Sequence, residues 1–182
     1  MEFEGVPILS RLQRLLANVL GGATVIAAPG KYASIGLNSI PDRWPGEGPL
    51  GGIITALLHS TRAHGDDGWN FIVGCDMPFL TQEWLAYLAE HAQASNAEVF
   101  LPRSRSGLEP LCACWKTAAA PKLQAAFDKG VRKITDAIRT FEMEILDEPH
   151  WKRFDSAGRL FWNMNTQADY DEARRVLKAG QS

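Results

Sequence analysis

The run Trp69-Asn70-Phe71-Ile72-Val73, followed by Gly74-Cys75-Asp76-Met77-Pro78-Phe79-Leu80, limits the possible folds more than any other stretch. The apolar run predicts a buried strand. The proline behind it stops regular structure and leaves one carboxylate, Asp76, at the strand's end. Open α/β sheets hold their ligands beyond the carboxyl ends of strands, so a carboxylate there stands where a ligand and its metal ion are gripped. The same aspartate also suits a tight turn, where its oxygens would satisfy nearby backbone donors.

Helices and short buried strands alternate on both sides of this run. Pro7 to Leu20 places Ile8, Leu9, Leu12, Leu15, Leu16, Val19 and Leu20 at helical spacing, with Arg11, Gln13, Arg14 and Asn18 opposite, and Gly21-Gly22 ends the helix. Ala23 to Ala28 predicts a strand closed by Pro29-Gly30, and Leu37 to Ile40 a short edge strand. Gly52 to Ser60 predicts a helix, and Thr81 an N-cap for a helix over Gln82 to Gln93. Ala97 to Pro102 and Glu109 to Trp115 predict two strands joined by a polar loop, a hairpin-like excursion from a parallel sheet. Helices over Ala118 to Lys129 and Lys133 to Thr140, a strand over Phe141 to Leu146 and a helix over Gln167 to Lys178 complete the pattern. The expected fold is a three-layer, Rossmann-like α/β domain with a mostly parallel sheet, spanning residues 1–182 as one unit.

Composition narrows the function. A length of 182 residues with 46% hydrophobic and 22% charged content can bury a full core. A net charge of −2, with Lys and Arg dispersed, gives no electrostatic footprint for nucleic acid. No apolar run has the length of a membrane span, and Met1 to Gly5 is acidic where a secretory leader would be basic, so a cytoplasmic location is expected. Cys75, Cys112 and Cys114 read as reduced thiols rather than as zinc or redox groups.

Two further elements bear on Asp76. Gly46-Glu47-Gly48-Pro49-Leu50-Gly51-Gly52 combines glycines that permit close backbone approach to a flat ligand with a proline that sets the entry to a helix. Trp162-Asn163-Met164-Asn165-Thr166 puts two amides on one side of an extended segment, just before a helix that Thr166 can cap. Apolar neighbours around those amides favour partly buried groups that need partners.

Gly48-Pro49-Leu50-Gly51-Gly52, Cys75-Asp76-Met77-Pro78-Phe79, Glu109-Pro110-Leu111-Cys112-Ala113 and Asn163-Met164-Asn165-Thr166, in this order, resemble molybdenum cofactor guanylyltransferases of the MobA type along almost the whole chain. The resemblance implies a nucleotide-diphospho-sugar-transferase type of fold and transfer of GMP from GTP to molybdopterin, with pyrophosphate released. It implies Mg2+ at Asp76, with Asn163 and Asn165 near the metal and the second substrate. Asp42 matches the acid that accepts from the guanine edge, and Gly48, Pro49, Leu50 and Gly51 the loop against base and ribose. Asp42 equally suits a plain turn beside Pro41. Arg103, Arg105, Arg132 and Lys133 are candidates for the molybdopterin phosphate, or solvated surface cations. Molybdoenzymes or other cofactor-biosynthesis proteins are the implied protein partners.

The sequence departs from that family in one respect. An opening motif of the form L-x-G-G-x-S-x-R-M-G-x-D-K has no counterpart, and Glu2 to Leu9 resembles the segment just downstream of it. The expectation is a missing first strand, unpaired edges on its two neighbours and impaired activity, from a late start codon or a truncated gene. A sister enzyme using CTP, or one acting on a sugar or lactyl phosphate, remains open, as does a non-catalytic pterin- or partner-binding paralogue.

Overall fold

A computed structural model of the chain describes residues 2–3, 6–37, 39–155 and 157–179. Strands β1 (Glu2–Phe3) and β2 (Val6–Pro7) form a small antiparallel pair ahead of helix α1 (Ile8–Leu20). Gly21 closes α1 in the left-handed region, φ +79°, and donates its N–H to the Ala17 carbonyl at 2.9 Å. Strands β3 (Val25–Ile26) and β4 (Ser39–Ile40) then pair in parallel. Both are shorter than the sequence predicts, Ala23 to Ala28 and Leu37 to Ile40, because a strand extends only as far as its partner; Asn38 lies outside the described residues.

Helix α2 (Pro49–His64) begins before the expected Gly52 because Pro49 occupies its first turn, where a fixed φ favours the helix and no amide is needed. Strand β5 (Trp69–Val73) follows, then α3 (Gln82–Ala94), where Thr81 accepts from the Trp84 N–H at 3.2 Å as the expected cap. Next come β6 (Val99–Ser104), β7 (Gly107–Leu108), β8 (Cys112–Lys116), α4 (Ala120–Asp128) and α5 (Ile134–Ala137). The helix expected over Lys133 to Thr140 has only this one α turn and finishes as a 3-10 turn. Strand β9 (Met143–Leu146), a short α6 (Glu148–Trp151) and α7 (Gln167–Ala179) end the described chain.

The large sheet has the order β5-β8-β6-β7, with β9 on β6. Strands β5 and β6 each pair antiparallel with β8, and β6 pairs parallel with β9, so β5, β6 and β9 point the same way and β8 runs against them. The segment expected as an excursion is therefore an inner strand: Cys112 to Trp115 are buried on both faces.

Two cores give the domain its three layers. Phe100, Cys112 and Cys114 pack with α1, α3 and residues near α7, while Val99, Leu101, Ala113 and Trp115 face α2, α4 and α5. Side chains alternate along β6 and β8, so one buried strand supplies both cores. No hydrogen-bonded strand links β3 to β5 among the described residues; a groove separates the two sheets there. No helix of the described residues is long and apolar enough to cross a membrane.

Candidate active site at the end of the fifth strand

Strand β5 ends at Val73, and the chain turns through Gly74, Cys75 and Asp76. Gly74 keeps its hydrogen bond to the Leu111 carbonyl, at 2.8 Å, so the turn starts from a fixed point. A Cβ added to Gly74 would lie 2.6 Å from Oδ1 of Asp76 and 3.6 Å from Cβ of Leu111. The carboxylate therefore folds back over the strand end, and only glycine leaves it that space.

Three contacts hold the turn. The Met164 N–H donates to the Asp76 carbonyl at 2.9 Å, which joins the Asp76 and Asn163 segments through backbone. Phe79 and Trp162 stack with centroids 5.4 Å apart and planes 10° from parallel. Arg11 reaches out of α1 and donates to the carbonyls of Pro78, at 2.8 Å, and Leu80, at 3.2 Å. Periodicity places Arg11 on the solvent face of its helix, yet its guanidinium is partly buried, and that burial together with the charge of Arg14 lowers its pKa. Its partners lie far along the chain, and nothing local in the sequence points to them.

The two asparagines differ in setting. Asn163 is half-buried, and its Oδ1 is shielded from solvent without a hydrogen-bond partner. Asn165 is exposed, and its backbone N–H donates to Asp169. Thr166 caps α7 reciprocally: its hydroxyl accepts from the Asp169 N–H at 3.2 Å while Asp169 accepts from the Thr166 N–H at 2.8 Å. The hydroxyl and backbone of Thr166 hold the Asp169 carboxyl below its usual range.

A second acid acts beside Asp76 and is not marked as a site residue by its sequence pattern. Glu109, at the mouth of β8, is half-buried and accepts from the Ser104 hydroxyl at 2.5 Å. Burial pushes its carboxyl up, the Ser104 bond pulls it down, and the charge of Asp76 raises it again. A glutamate before a proline at a strand mouth is a faint signal for such a neighbour.

The glycine loop is built on its own contacts. Oδ1 of Asp42 accepts from the Trp44 N–H at 3.0 Å and the Thr55 hydroxyl at 3.1 Å, the turn-stabilising arrangement that a proline-flanked aspartate allows. Gly51 lies against Trp44, where an added Cβ would meet Trp44 Cβ at 3.2 Å, so its closeness serves chain packing. Leu50 is wholly buried in the core shared by α2, α4 and α5. Gly48 takes φ +90° directly before Pro49 at the start of α2.

The four candidate cations fall into two pairs along the chain, Arg103 with Arg105 and Arg132 with Lys133. Arg132 bonds Glu47 of the glycine loop at 2.7 Å and lies over the Phe127 ring at 3.8 Å. Arg103 pairs with Asp147 at 3.4 Å, and Arg105 with Glu148 at 3.9 Å. Lys133 is exposed and makes no ion pair among the described residues. Among those residues no three His, Cys, Asp or Glu side chains gather as a metal cage.

A three-layer α/β domain with a carboxylate just past a strand's carboxyl end and a glycine-rich helix entry beside the sheet has the nucleotide-diphospho-sugar-transferase type of fold. The chain belongs to the MobA-like NTP transferase domain family, which matches residues 1–143. A Clostridium perfringens protein named as a probable molybdenum cofactor guanylyltransferase is 29% identical over 150 residues, 79% of this chain and 70% of its own length. The structure of molybdopterin-guanine dinucleotide biosynthesis protein A from Archaeoglobus fulgidus superposes with a TM-score of 0.81 at 22% identity, covering 98% of this chain and 89% of that one. Rv0371C from Mycobacterium tuberculosis, solved in complex with manganese, gives a TM-score of 0.61 at 16% identity, covering 98% of this chain and 90% of that one. At these identities the two structures speak for the fold.

Proposed function

We propose that the chain transfers GMP from GTP to molybdopterin, with Mg2+ at Asp76. One observation supports this most: the Met164 N–H bonds the Asp76 carbonyl, so the strand-end aspartate and the segment that carries Asn163, whose shielded Oδ1 has no partner, are joined through backbone. Asp76 and Asn163 both offer hard oxygen donors, and Mg2+ characteristically takes one or two such protein ligands and completes its shell with water and substrate phosphate. The manganese bound to Rv0371C is in keeping with a divalent ion in this fold.

In the proposed reaction an oxygen of the terminal molybdopterin phosphate attacks the α-phosphorus of GTP in line. The new P–O bond forms as the bond from the α-phosphorus to the bridging oxygen breaks, and pyrophosphate leaves with those electrons. A bound divalent ion would offset charge on the phosphates as this happens. The protein's share is positioning: the Asp76 turn, fixed by Gly74, Arg11 and Met164, gives the ion a set place, and Asn165 faces the second substrate. The turn from Gly48 to Gly51 takes the nucleoside and Asp42 accepts from the guanine edge, using the oxygen that the loop leaves available. Arg103, Arg105, Arg132 and Lys133 are the candidates for holding the pterin phosphate.

The reading is tested by pyrophosphate release with molybdopterin and either GTP or CTP, alongside Mn2+ binding followed by electron paramagnetic resonance. Asp76→Asn should weaken ion binding at least tenfold and lower turnover by about 100-fold, the scale of losing one charge-stabilising group. Preference for CTP would replace guanylyl with cytidylyl transfer. Mn2+ binding unaffected by the substitution would remove Asp76 from the metal site.

A further inference from the structure

Glu109 stands at the carboxyl edge of the sheet, between the Asp76 turn and the end of β6. Strand β8 runs against β5 and β6, so the chain enters β8 at the end where those two strands finish. The Leu111 carbonyl accepts the Gly74 N–H at 2.8 Å, and a Cβ added to Gly74 would lie 3.6 Å from Cβ of Leu111. These contacts seat the segment from Glu109 to Leu111 beside the turn. On its other flank the Glu109 N–H donates to the Pro102 carbonyl of β6 at 2.9 Å.

The side chain is held as firmly as the backbone. Oε1 accepts from the Ser104 hydroxyl at 2.5 Å, and the Ser104 oxygen in turn accepts from the Ser106 N–H at 2.9 Å. Oε2 makes no hydrogen bond among the described residues, and it is not sealed from solvent. One oxygen thus fixes the carboxylate while the other presents a free acceptor. Burial, and then the charge of Asp76, work against the ionised form, so packing alone gives no reason for an acid here.

Three roles suit a carboxylate beside phosphate transfer: base, metal ligand, or acceptor for a substrate N–H. No base is needed, because the second pKa of a phosphate monoester is about 6 and its oxygen attacks already ionised. A metal ligand and an acceptor are separated by ion titration. The order of elements along the edge says whose N–H would be accepted. Helix α2 links β4 to β5 and packs on β3 and β5, the crossover that joins strands of one direction, so Asp42, Asp76 and Glu109 follow one another along that edge. With the nucleoside on the Asp42 side, the second substrate lies on the Glu109 side. Its phosphate must reach the ion at Asp76, which leaves its ring over β8 and β6. A pterin carries a 2-amino-4-oxo pyrimidine edge, whose amino and imino N–H groups suit a carboxylate as the guanine edge does.

We propose that Glu109 is a specificity residue for the second substrate, accepting through Oε2 from the amino and imino edge of its pterin ring. The inference rests on the reading of Asp76 as the seat of nucleotidyl transfer to molybdopterin. A ring without those donors leaves a half-buried acceptor unmatched, the situation in which polar sites discriminate most strongly.

The probes are 6-hydroxymethylpterin and 6-hydroxymethyllumazine, which carry an amino and an oxo group, respectively, at ring position 2. Fluorescence titration of the full chain should show the pterin bound at least tenfold more tightly, since the oxo group sets an acceptor against the carboxylate. Glu109→Gln should bring that ratio to one or below, because Ser104 keeps the amide oxygen and turns the NH2 towards the ring. Glu109→Ala should weaken the pterin at least tenfold and the lumazine less than threefold; circular dichroism checks the fold of both variants. In turnover, Glu109→Gln should raise KM for molybdopterin at least tenfold and leave KM for GTP within twofold. An unchanged ratio, equal loss of both probes, loss of Mn2+ binding in Glu109→Gln, or no pterin binding by the unaltered chain would overturn the proposal. Edge-selective pterin binding without pyrophosphate release from GTP or CTP would remove the transferase reading and leave the role of Glu109 standing.

Discussion

Oδ1 of Asp76 lies where a methyl group on Gly74 would have to go, 2.6 Å from that Cβ position. Replacing Gly74 by Ala must therefore move the carboxylate or the strand end. We expect Gly74→Ala to cost about 1–3 kcal/mol, the usual range for overpacking a fitted site. It should also weaken Mn2+ binding although no ligand atom is removed. Thermal unfolding and paramagnetic resonance titration on one sample check both effects; unchanged ion affinity would show that the Asp76 rotamer is not set by this contact.

Arg11 offers a second route to the same turn. Arg11→Met keeps much of the apolar stem and removes the bonds to the carbonyls of Pro78 and Leu80. Bonds from a charged donor contribute about 1.5–3 kcal/mol, so a loss near 2 kcal/mol in urea unfolding is expected. Exchange of the amides at 77 and 79–80 should quicken while β6 and β8 stay protected. Uniform change across the domain would mean that Arg11 acts through global stability instead.

Glu109 predicts a pH signature. Its carboxyl is raised in the folded state, first by burial and then by the charge of Asp76, so the folded chain keeps that proton to higher pH than the unfolded chain does. Stability from this group is therefore present below the unfolded value, about 4.3, and declines as pH rises through the folded one. Glu109→Gln should remove that decline. Urea unfolding at pH 4 and pH 6.5 for both chains isolates the difference; identical pH slopes would contradict it.

Thiol chemistry separates the cysteines. Cys75 is exposed while Cys112 and Cys114 are buried, and burial pushes the Cys112 thiol up to about 12. Iodoacetamide at pH 8 should modify one cysteine per folded chain and three after unfolding. Although Cys75 is an exposed residue, its thiol is partly desolvated, and this and then the Asp76 charge raise it, so Asp76→Asn should speed its alkylation. Mass spectrometry of the labelled peptides reads the outcome.

Removing the α7 cap tests the last segment. Thr166→Ala loses the hydroxyl that accepts from Asp169, at a cost of about 1 kcal/mol, or roughly 2–4 °C in melting temperature. Restoration by Thr166→Ser would tie the effect to the hydroxyl.

Much of the architecture was legible because periodicity reports burial. The amphipathic stripe of α1, the Thr81 cap and the apolar run of β5 each express local chemistry, and the structure has them in place. The antiparallel pairing of β6 with β8 follows the expected hairpin, but the inner position of β8, paired also with β5, is not written in its residues, since pairing partners are set by which strand reaches a neighbour. In the candidate site, the strand-end position of Asp76 was readable, but Arg11 and Glu109 were not. Arg11 sits at a polar helix position and meets its carbonyls only in the folded chain, and Glu109 nears Asp76 only because β8 pairs with β5. The Asp42 carboxylate shows how two readings can coexist: one oxygen serves its own turn, which neither requires nor forbids a ligand on the other.

The bond from Met164 to Asp76 has a consequence for how the protein is made. A ribosome releases the first of these residues long before the second, and domains emerge from their N-terminal end at roughly 5–20 residues per second. During that interval the Asp76 turn exists without its distal clasp. The geometry of the Asp76 turn is complete only once the C-terminal quarter of the chain has docked.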